Sequence, residues 1–178
     1  MPDIHVRPLA GRELEAALDI LVTVFTADPS FQRLIRIRSL IRPVLTSYYR
    51  RCLRQLLPES NADGAWDGDT LVGVALWYPP GQRPRGLMGR TERLFARRQR
   101  KARGGWLLEG IAVAEEGRGK GVGSSLLEHR LAACTDAVHL QSTTEASARL
   151  YARFGFLADR GQSTGGLWMT RPPAAGQR

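Results

Sequence analysis

Leu14, Leu18, Leu21, Val22 and Phe25 return every three or four residues, which gathers them on one face of a helix predicted over about residues 11–26. Ahead of it, Ile4-His5-Val6-Arg7 alternates apolar with polar positions and predicts a short first strand. Asp28-Pro29 ends the helix, because the residue before a proline is held out of the helical region. A second helical region is predicted from Phe31 to Leu57, with a break around Pro43, whose ring removes an N–H and crowds the preceding turn. Within it, Tyr48 and Tyr49 are expected to divide between core and pocket wall.

The period then changes. Ala65-Trp66 and Leu71 to Tyr78 flank Asp67-Gly68-Asp69, a turn signal between two strand-forming runs, and predict a hairpin stopped by Pro79-Pro80-Gly81. A helix over 89–102 follows, with Leu87, Met88, Leu94 and Phe95 as its apolar contacts. Gly104-Gly105 separates it from a strand over Trp106 to Val113. Next come a glycine turn, a helix over 121–134, a strand over 137–142, a helix over 146–154 and a strand over 156–158. A last strand over 167–170 closes the sheet, and 172–178 is expected as a disordered tail. No internal repeat is visible. The expectation is one α/β domain over 1–171, with 84–104 as a basic helical insertion and strands of mixed direction, since hairpins and crossovers both occur.

At 178 residues and 43% apolar, the chain is long enough for one core and too apolar for disorder. Its longest apolar runs fall well short of the roughly 20 residues of a membrane span. Asp3, His5 and Arg7 interrupt the start, so a cytoplasmic protein without a membrane partner is expected. Cys52 and Cys134 lie far apart among apolar neighbours and are expected as buried free thiols. His5, His129 and His139 are scattered, giving no basis for a metal site or a Ser/His/Asp triad. The net charge of +9 is concentrated: nine basic residues against Glu92 give 83–103 a charge of +8 and leave the rest nearly neutral. Such a stripe attracts RNA, anionic lipid or acidic partners, forms the solvated face of one helix, or draws in a polyanionic cofactor. The solvated face is the expectation, and nucleic acid is not the expected partner.

The densest chemical signal begins at Ile111-Ala112-Val113. Five positions after Val113, Arg118 opens the turn Gly119-Lys120-Gly121-Val122-Gly123-Ser124. A strand leading through alternate glycines into a helix can point successive backbone N–H groups at an anion, helped by the helix dipole. Glycine matters because a side chain would hold the phosphate off the backbone. A Walker loop needs Ser or Thr after its lysine, where Gly121 stands, and a dinucleotide fingerprint needs glycine or alanine where Ser124 stands. One strand later, Leu150-Tyr151-Ala152-Arg153-Phe154-Gly155-Phe156 ends the next helix, with Gly155 suited to its left-handed cap.

Together, in this order and spacing, these residues resemble the GNAT superfamily of N-acetyltransferases. Its Arg/Gln-x-x-Gly-x-Gly/Ala motif is matched at Arg118, Gly121 and Gly123, and its Leu-Tyr-x-x-x-Gly-Phe motif at Leu150, Tyr151, Gly155 and Phe156. The resemblance covers about residues 4–171. Within the superfamily the chain is similar to puromycin N-acetyltransferases and their relatives at Phe25 to Pro29, Ala75-Leu76-Trp77, Trp106 and Trp168-Met169-Thr170-Arg171. Many members carry Asn and Ala where this chain has Thr144 and Ser147, so either Thr144 replaces an asparagine that often helps hold coenzyme A, or that contact is absent.

The resemblance implies a central mixed, mostly antiparallel sheet of six to seven strands, with helices on both faces and a splay between the 106–113 strand and the one containing Leu140. It implies acetyl-CoA as co-substrate and no metal. Backbone groups of Ile111, Ala112 and Val113 would pair with the pantetheine arm, Gly119 to Ser124 would cradle the pyrophosphate, and Arg118 would add a charge-assisted contact. An acceptor amine would then attack the thioester directly. Tyr151 is the implied general acid, its alternative being a packed core tyrosine. Glu109 is the candidate base through a water, since a carboxylate on an apolar strand is unusual; a solvent-facing or arginine-paired side chain is the alternative. Asp28 and Glu145 are the next candidates, and Gln141, Ser142 and Thr143 are expected near the pocket. The expected acceptor is a small-molecule amine. A protein amino terminus or lysine keeps the same chemistry, and a nucleic-acid- or ribosome-associated role for 83–103, with vestigial coenzyme A binding, is the alternative of another class. A homodimer is one assembly compatible with the sequence.

Overall fold

The computed structural model describes residues 3–35, 37–84, 104–159 and 166–173. Its sheet runs through β1 (Ile4–Pro8), β2 (Ala62–Asp67), β3 (Thr70–Tyr78), β4 (Trp106–Val113), β5 (Val138–Ser142), β6 (Leu157–Ala158) and β7 (Leu167–Arg171). The spatial order is β1-β2-β3-β4-β5-β7-β6, and every pairing is antiparallel except β4 with β5. Helices α1 (Leu14–Thr26), α2 (Pro29–Leu34) and α3 (Arg38–Leu56) cover one face. Helices α4 (Val122–Leu131) and α5 (Glu145–Arg153) cover the other.

Two cores follow from this layering. Residues at helical spacing, Ala17, Leu18, Leu21 and Val22 of α1 and Leu45, Tyr48, Tyr49 and Cys52 of α3, meet Val74, Leu76 and Tyr78 of β3 in the first core. Ala75 and Trp77, on the opposite face of β3, join Leu126 and Leu127 of α4 in the second. Burial on both faces is why β3 reads as an unbroken apolar run. The hairpin of β2 and β3 forms at the expected turn, with β2 longer than the predicted pair of residues.

The expected break at Pro43 is a correction. Helix α3 continues through Pro43, and the interruption lies earlier, where Ile35 and Ile37 take extended backbone between α2 and α3. Pro43 is the sixth residue of α3, so it deletes one hydrogen bond near an end where several N–H groups have no intrahelical partner anyway. The cost of about 3 kcal/mol is outweighed by seven buried side chains of α3, each contributing about 1.5–3 kcal/mol for the larger ones. The predicted helix over 89–102 and residues 174–178 of the predicted tail lie outside the described residues.

Strands β4 and β5 pair only at Trp106–Val138, Leu107–His139 and Leu108–Leu140. Beyond Leu108 the two strands part, which is the expected splay. On its other side β4 stays paired with β3 as far as Val113, but the register shifts, so that Leu76 opposes Gly110 while Trp77 opposes Leu108. Glu109 is the extra residue of this bulge.

Candidate active site

A cavity of about 250 Å³ opens where β4 and β5 separate. One wall belongs to the first core: Phe25 and Phe31 from α1 and α2, Tyr49 from α3, and Asp28 at the turn between α1 and α2. The other belongs to the second core, with Leu108, Leu140, Leu150 and Tyr151. The splay thus joins the two faces of the sheet through one opening.

The bulge turns Gly110 to the same face as Glu109. Leu107 faces the first core and Leu108 the second, so simple alternation would send Glu109 to the first and Gly110 to the second. With the extra residue both face the first core: Glu109 meets Tyr48, and a Cβ on Gly110 would lie 3.3 Å from Phe25 and 3.6 Å from Tyr49. Glu109 is 8% exposed and lines the cavity, which overrules the solvent-facing alternative. The Tyr48 hydroxyl donates to Glu109 Oε1. Burial, then the charge of Glu109, raises the Tyr48 pKa well above its ordinary value, so Tyr48 stays a neutral donor. Behind it, burial pushes the Cys52 thiol up to about 12, and burial again raises Tyr78. Cys134 is likewise buried, its thiol pushed up to about 11.

Tyr151 rides on α5. Thr144 caps this helix, its hydroxyl accepting from the Ser147 N–H at 3.1 Å, and Gly155 at φ +81° ends the turn beyond it. Tyr151 is 5% exposed, packs edge-on against Phe156 at 5.9 Å between centroids, and contributes to the cavity wall. Thr144 and Ser147 line the same cavity while serving as a capping box. Gln141 and Thr143 reach the cavity; Ser142 instead bonds the Ser147 hydroxyl at 2.6 Å and the Thr144 carbonyl at 2.9 Å. Glu145 pairs with Arg149 on the exposed side of α5, away from the described cavity lining. Asp28 does line it. Its Oδ1 accepts from the Ser30 N–H at 2.7 Å, capping α2, and its Oδ2 accepts from the Thr143 hydroxyl at 2.6 Å.

The glycine turn precedes α4. Gly119 and Gly121 take φ of +74° and +80°, a region that side chains with a Cβ resist. Gly123 reaches the cavity and passes close to Leu150. The first-turn N–H groups of α4, from Val122 through Ser124, have no intrahelical acceptor and carry the positive end of the helix dipole. Arg118 is exposed beside them. Lys120 is exposed as well; its ammonium pairs with Asp67 at 2.6 Å and its N–H bonds Gly117 O at 3.3 Å. Ile111 and Val113 line the cavity, and Ala112 is buried in the first core.

Sequence reasoning did not anticipate the Tyr48–Glu109 bond, the Asp28–Thr143 bond, or Phe31 as a wall. The first two span 61 and 115 positions, and no local pattern marks them. Among the described residues no group of three or more His, Cys, Asp and Glu could hold a metal, and no helix is long and apolar enough to cross a membrane.

A carboxylate and a phenol on opposite walls of one cleft, beside a strand edge and a helix N-terminus, suit proton exchange around a bound anionic carrier. The sequence profile of the Acetyltransferase (GNAT) family matches residues 31–156, more than half of the chain. Among solved structures, the histone acetyltransferase HPA2 and related acetyltransferase from Corynebacterium glutamicum is similar at 28% identity and a TM-score of 0.73, over 98% of this chain and 99% of that one. PaiA N-acetyltransferase from Thermoplasma acidophilum, in complex with coenzyme A, shares the fold at 14% identity and a TM-score of 0.70, over 96% and 99%. A GNAT-family acetyltransferase from Bacillus cereus shares it at 13% identity and 0.56, over 94% of each chain. No curated protein matches the sequence. The chain belongs to the GNAT acetyltransferase family and is an acyltransferase.

Proposed function

We propose that residues 1–171 form one catalytic domain that transfers the acetyl group of acetyl-CoA to the amine of a small molecule, with Glu109 as base and Tyr151 as acid. The observation that carries this reading is the cleft itself, which receives Glu109 from one core and Tyr151 from the other where β4 and β5 part. The residues present fit the co-substrate. The β4 edge beyond Leu108 has left β5, so the backbone of Ile111 to Val113 is available to an extended pantetheine arm. Gly119, Gly121, Gly123 and the first-turn amides of α4 suit the pyrophosphate, with Arg118 as counter-charge. Lys120 supports the turn through Asp67. Thr144 and Ser147 hold α5 and its tyrosine in place beside the arm.

Acetyl-CoA supplies the acetyl group as an activated thioester. Glu109 takes one proton from the acceptor ammonium through a bridging water. The freed nitrogen bonds the acetyl carbon as the carbon–sulfur bond breaks, and the Tyr151 hydroxyl proton goes to sulfur. The second proton shed by the nitrogen restores the Tyr151 hydroxyl, and Glu109 releases the first to solvent. An ammonium and a thioester thereby give an amide, a thiol and one released proton.

The test is thiol release from acetyl-CoA against puromycin, aminoglycosides, polyamines, simple amines and peptides. Tyr151→Phe is expected to lower kcat by on the order of a hundredfold with acetyl-CoA affinity unchanged. Full turnover by that variant overturns the acid role, and turnover of peptides alone overturns the small-molecule acceptor.

A further inference from the structure

We infer that the acceptor is a small aromatic amine: a primary ammonium on a short tether from a ring, with no carboxylate beside it. This deepens the proposed transferase reading and rests on it.

The wall facing Tyr151 is built from rings. Phe25 stacks on Tyr49 with centroids 5.1 Å apart and 21° between planes, and Phe31 meets Phe25 edge-on at 5.6 Å. All three line the cavity, and Gly110 lets two of them lie against β4. Such an array presents both faces and edges, so an entering ring finds stacked and T-shaped partners at once. A flexible alkyl chain gains less from it.

Charge selects the other half of the ligand. Asp28 and Glu109 both line the cavity, and the described lining contains no Lys, Arg or His. Asp28 is locked in place by the Ser30 N–H and the Thr143 hydroxyl, which bridge α2 to the end of β5. A fixed carboxylate beside aromatic faces attracts an ammonium twice, by charge and through the ring quadrupoles. The same field repels a carboxylate carried next to the amine, which disfavours free amino acids. Polyamines and aminoglycosides bring several cations and little apolar surface to a cavity that offers two carboxylates, Asp28 and Glu109, among aromatic and aliphatic side chains.

Steady-state thiol release with 2-phenylethylamine, n-butylamine, spermidine and phenylalanine tests this. The expected kcat/KM for 2-phenylethylamine exceeds each of the others by roughly tenfold or more. Phe31→Leu, which keeps an apolar side chain, should reduce the preference for 2-phenylethylamine over n-butylamine several-fold. Asp28→Asn keeps a side chain able to cap α2 and should raise KM for 2-phenylethylamine. Coenzyme A binding by calorimetry is measured alongside. If coenzyme A binds and n-butylamine or spermidine turns over as well as the aromatic amine, the acceptor class is overturned and the transferase reading stands. An unchanged ratio in Phe31→Leu also overturns it, and absence of coenzyme A binding overturns both.

Discussion

Gly110 owes its facing to one surplus residue, Glu109, in the bulge. Without the bulge opposite Leu76 and Trp77, Gly110 would face the second core and the Phe25–Tyr49 pair would lose its resting place on β4. The facing of Gly110 was not legible in the sequence, because alternation predicts a face only while the ladder is regular. The Glu109 carboxylate was legible as a charge on an apolar strand, and its face agrees with alternation from Leu107. Tyr48 donates to it from α3 and stays protonated over the working range of an acetyltransferase, since burial and the Glu109 charge raise its pKa. A hydrogen bond to an ionised group contributes about 1.5–3 kcal/mol, and 1.36 kcal/mol is one pKa unit. Tyr48→Phe removes a donor that favours the carboxylate, so the base should become harder to ionise. If Glu109 is the base, the acidic limb of the kcat profile is expected to move to higher pH, so that activity fades earlier as pH falls. Glu109→Gln should lose the limb and most of the rate. An unmoved limb in Tyr48→Phe would show that Glu109 is not the titrating base.

Helix α4 and its glycine turn were the most readable element, because positive φ, close approach and a helix start all leave marks within a few residues. Helix α3 was less so. Pro43 is a strong local signal, yet its cost falls near a helix end and is overridden by contacts with α1 and β3 that no window of sequence contains. Thr144 shows a third case: it was read as a stand-in for a coenzyme A ligand, and it forms the cap that positions Tyr151 while lining the same cavity. For the turn the prediction is direct. Gly121→Ala forces a Cβ into φ +80°, where open space removes any clash but the backbone still costs about 1–2 kcal/mol. If the turn relaxes to avoid that cost, the amides lose their aim. The KM for acetyl-CoA should then rise roughly 5–30-fold while kcat at saturation changes little. A lower melting temperature with KM intact would separate the turn's structural role from cofactor binding.

Across the whole molecule, the splay requires that β4 and β5 be fixed at one end while free at the other. The fixed end is Trp106 to Leu108, and beside it lies a buried ion pair joining β2 to α4. Asp63 is fully buried; Arg130 reaches it with two bonds, Nε to Oδ2 at 2.9 Å and Nη2 to Oδ1 at 2.6 Å, and also donates to Ser60 O at 2.8 Å. The Arg130 guanidinium lies 5.9 Å over the Trp106 ring, linking the pair to the start of β4. Neither residue stood out in the sequence, because the contact between them spans 67 positions. Removing Arg130 leaves the buried Asp63 with the His129 ring, Nε2 4.0 Å from Oδ1, as its neighbour, and breaking a buried pair in this way costs about 3–5 kcal/mol. Arg130→Met is therefore expected to lower the melting temperature by about 6–20 °C, at ~2–4 °C per kcal/mol for a chain of this size. Replacing both charges with apolar residues of similar volume, as in Asp63→Leu with Arg130→Met, should recover most of that loss, because no lone charge remains. A double variant no more stable than Arg130→Met would mean that the Ser60 and Trp106 contacts of Arg130, rather than compensation of Asp63, hold this corner of the sheet. Acetyl-CoA KM in the folded fraction should be unaffected either way, since neither side chain lines the cleft.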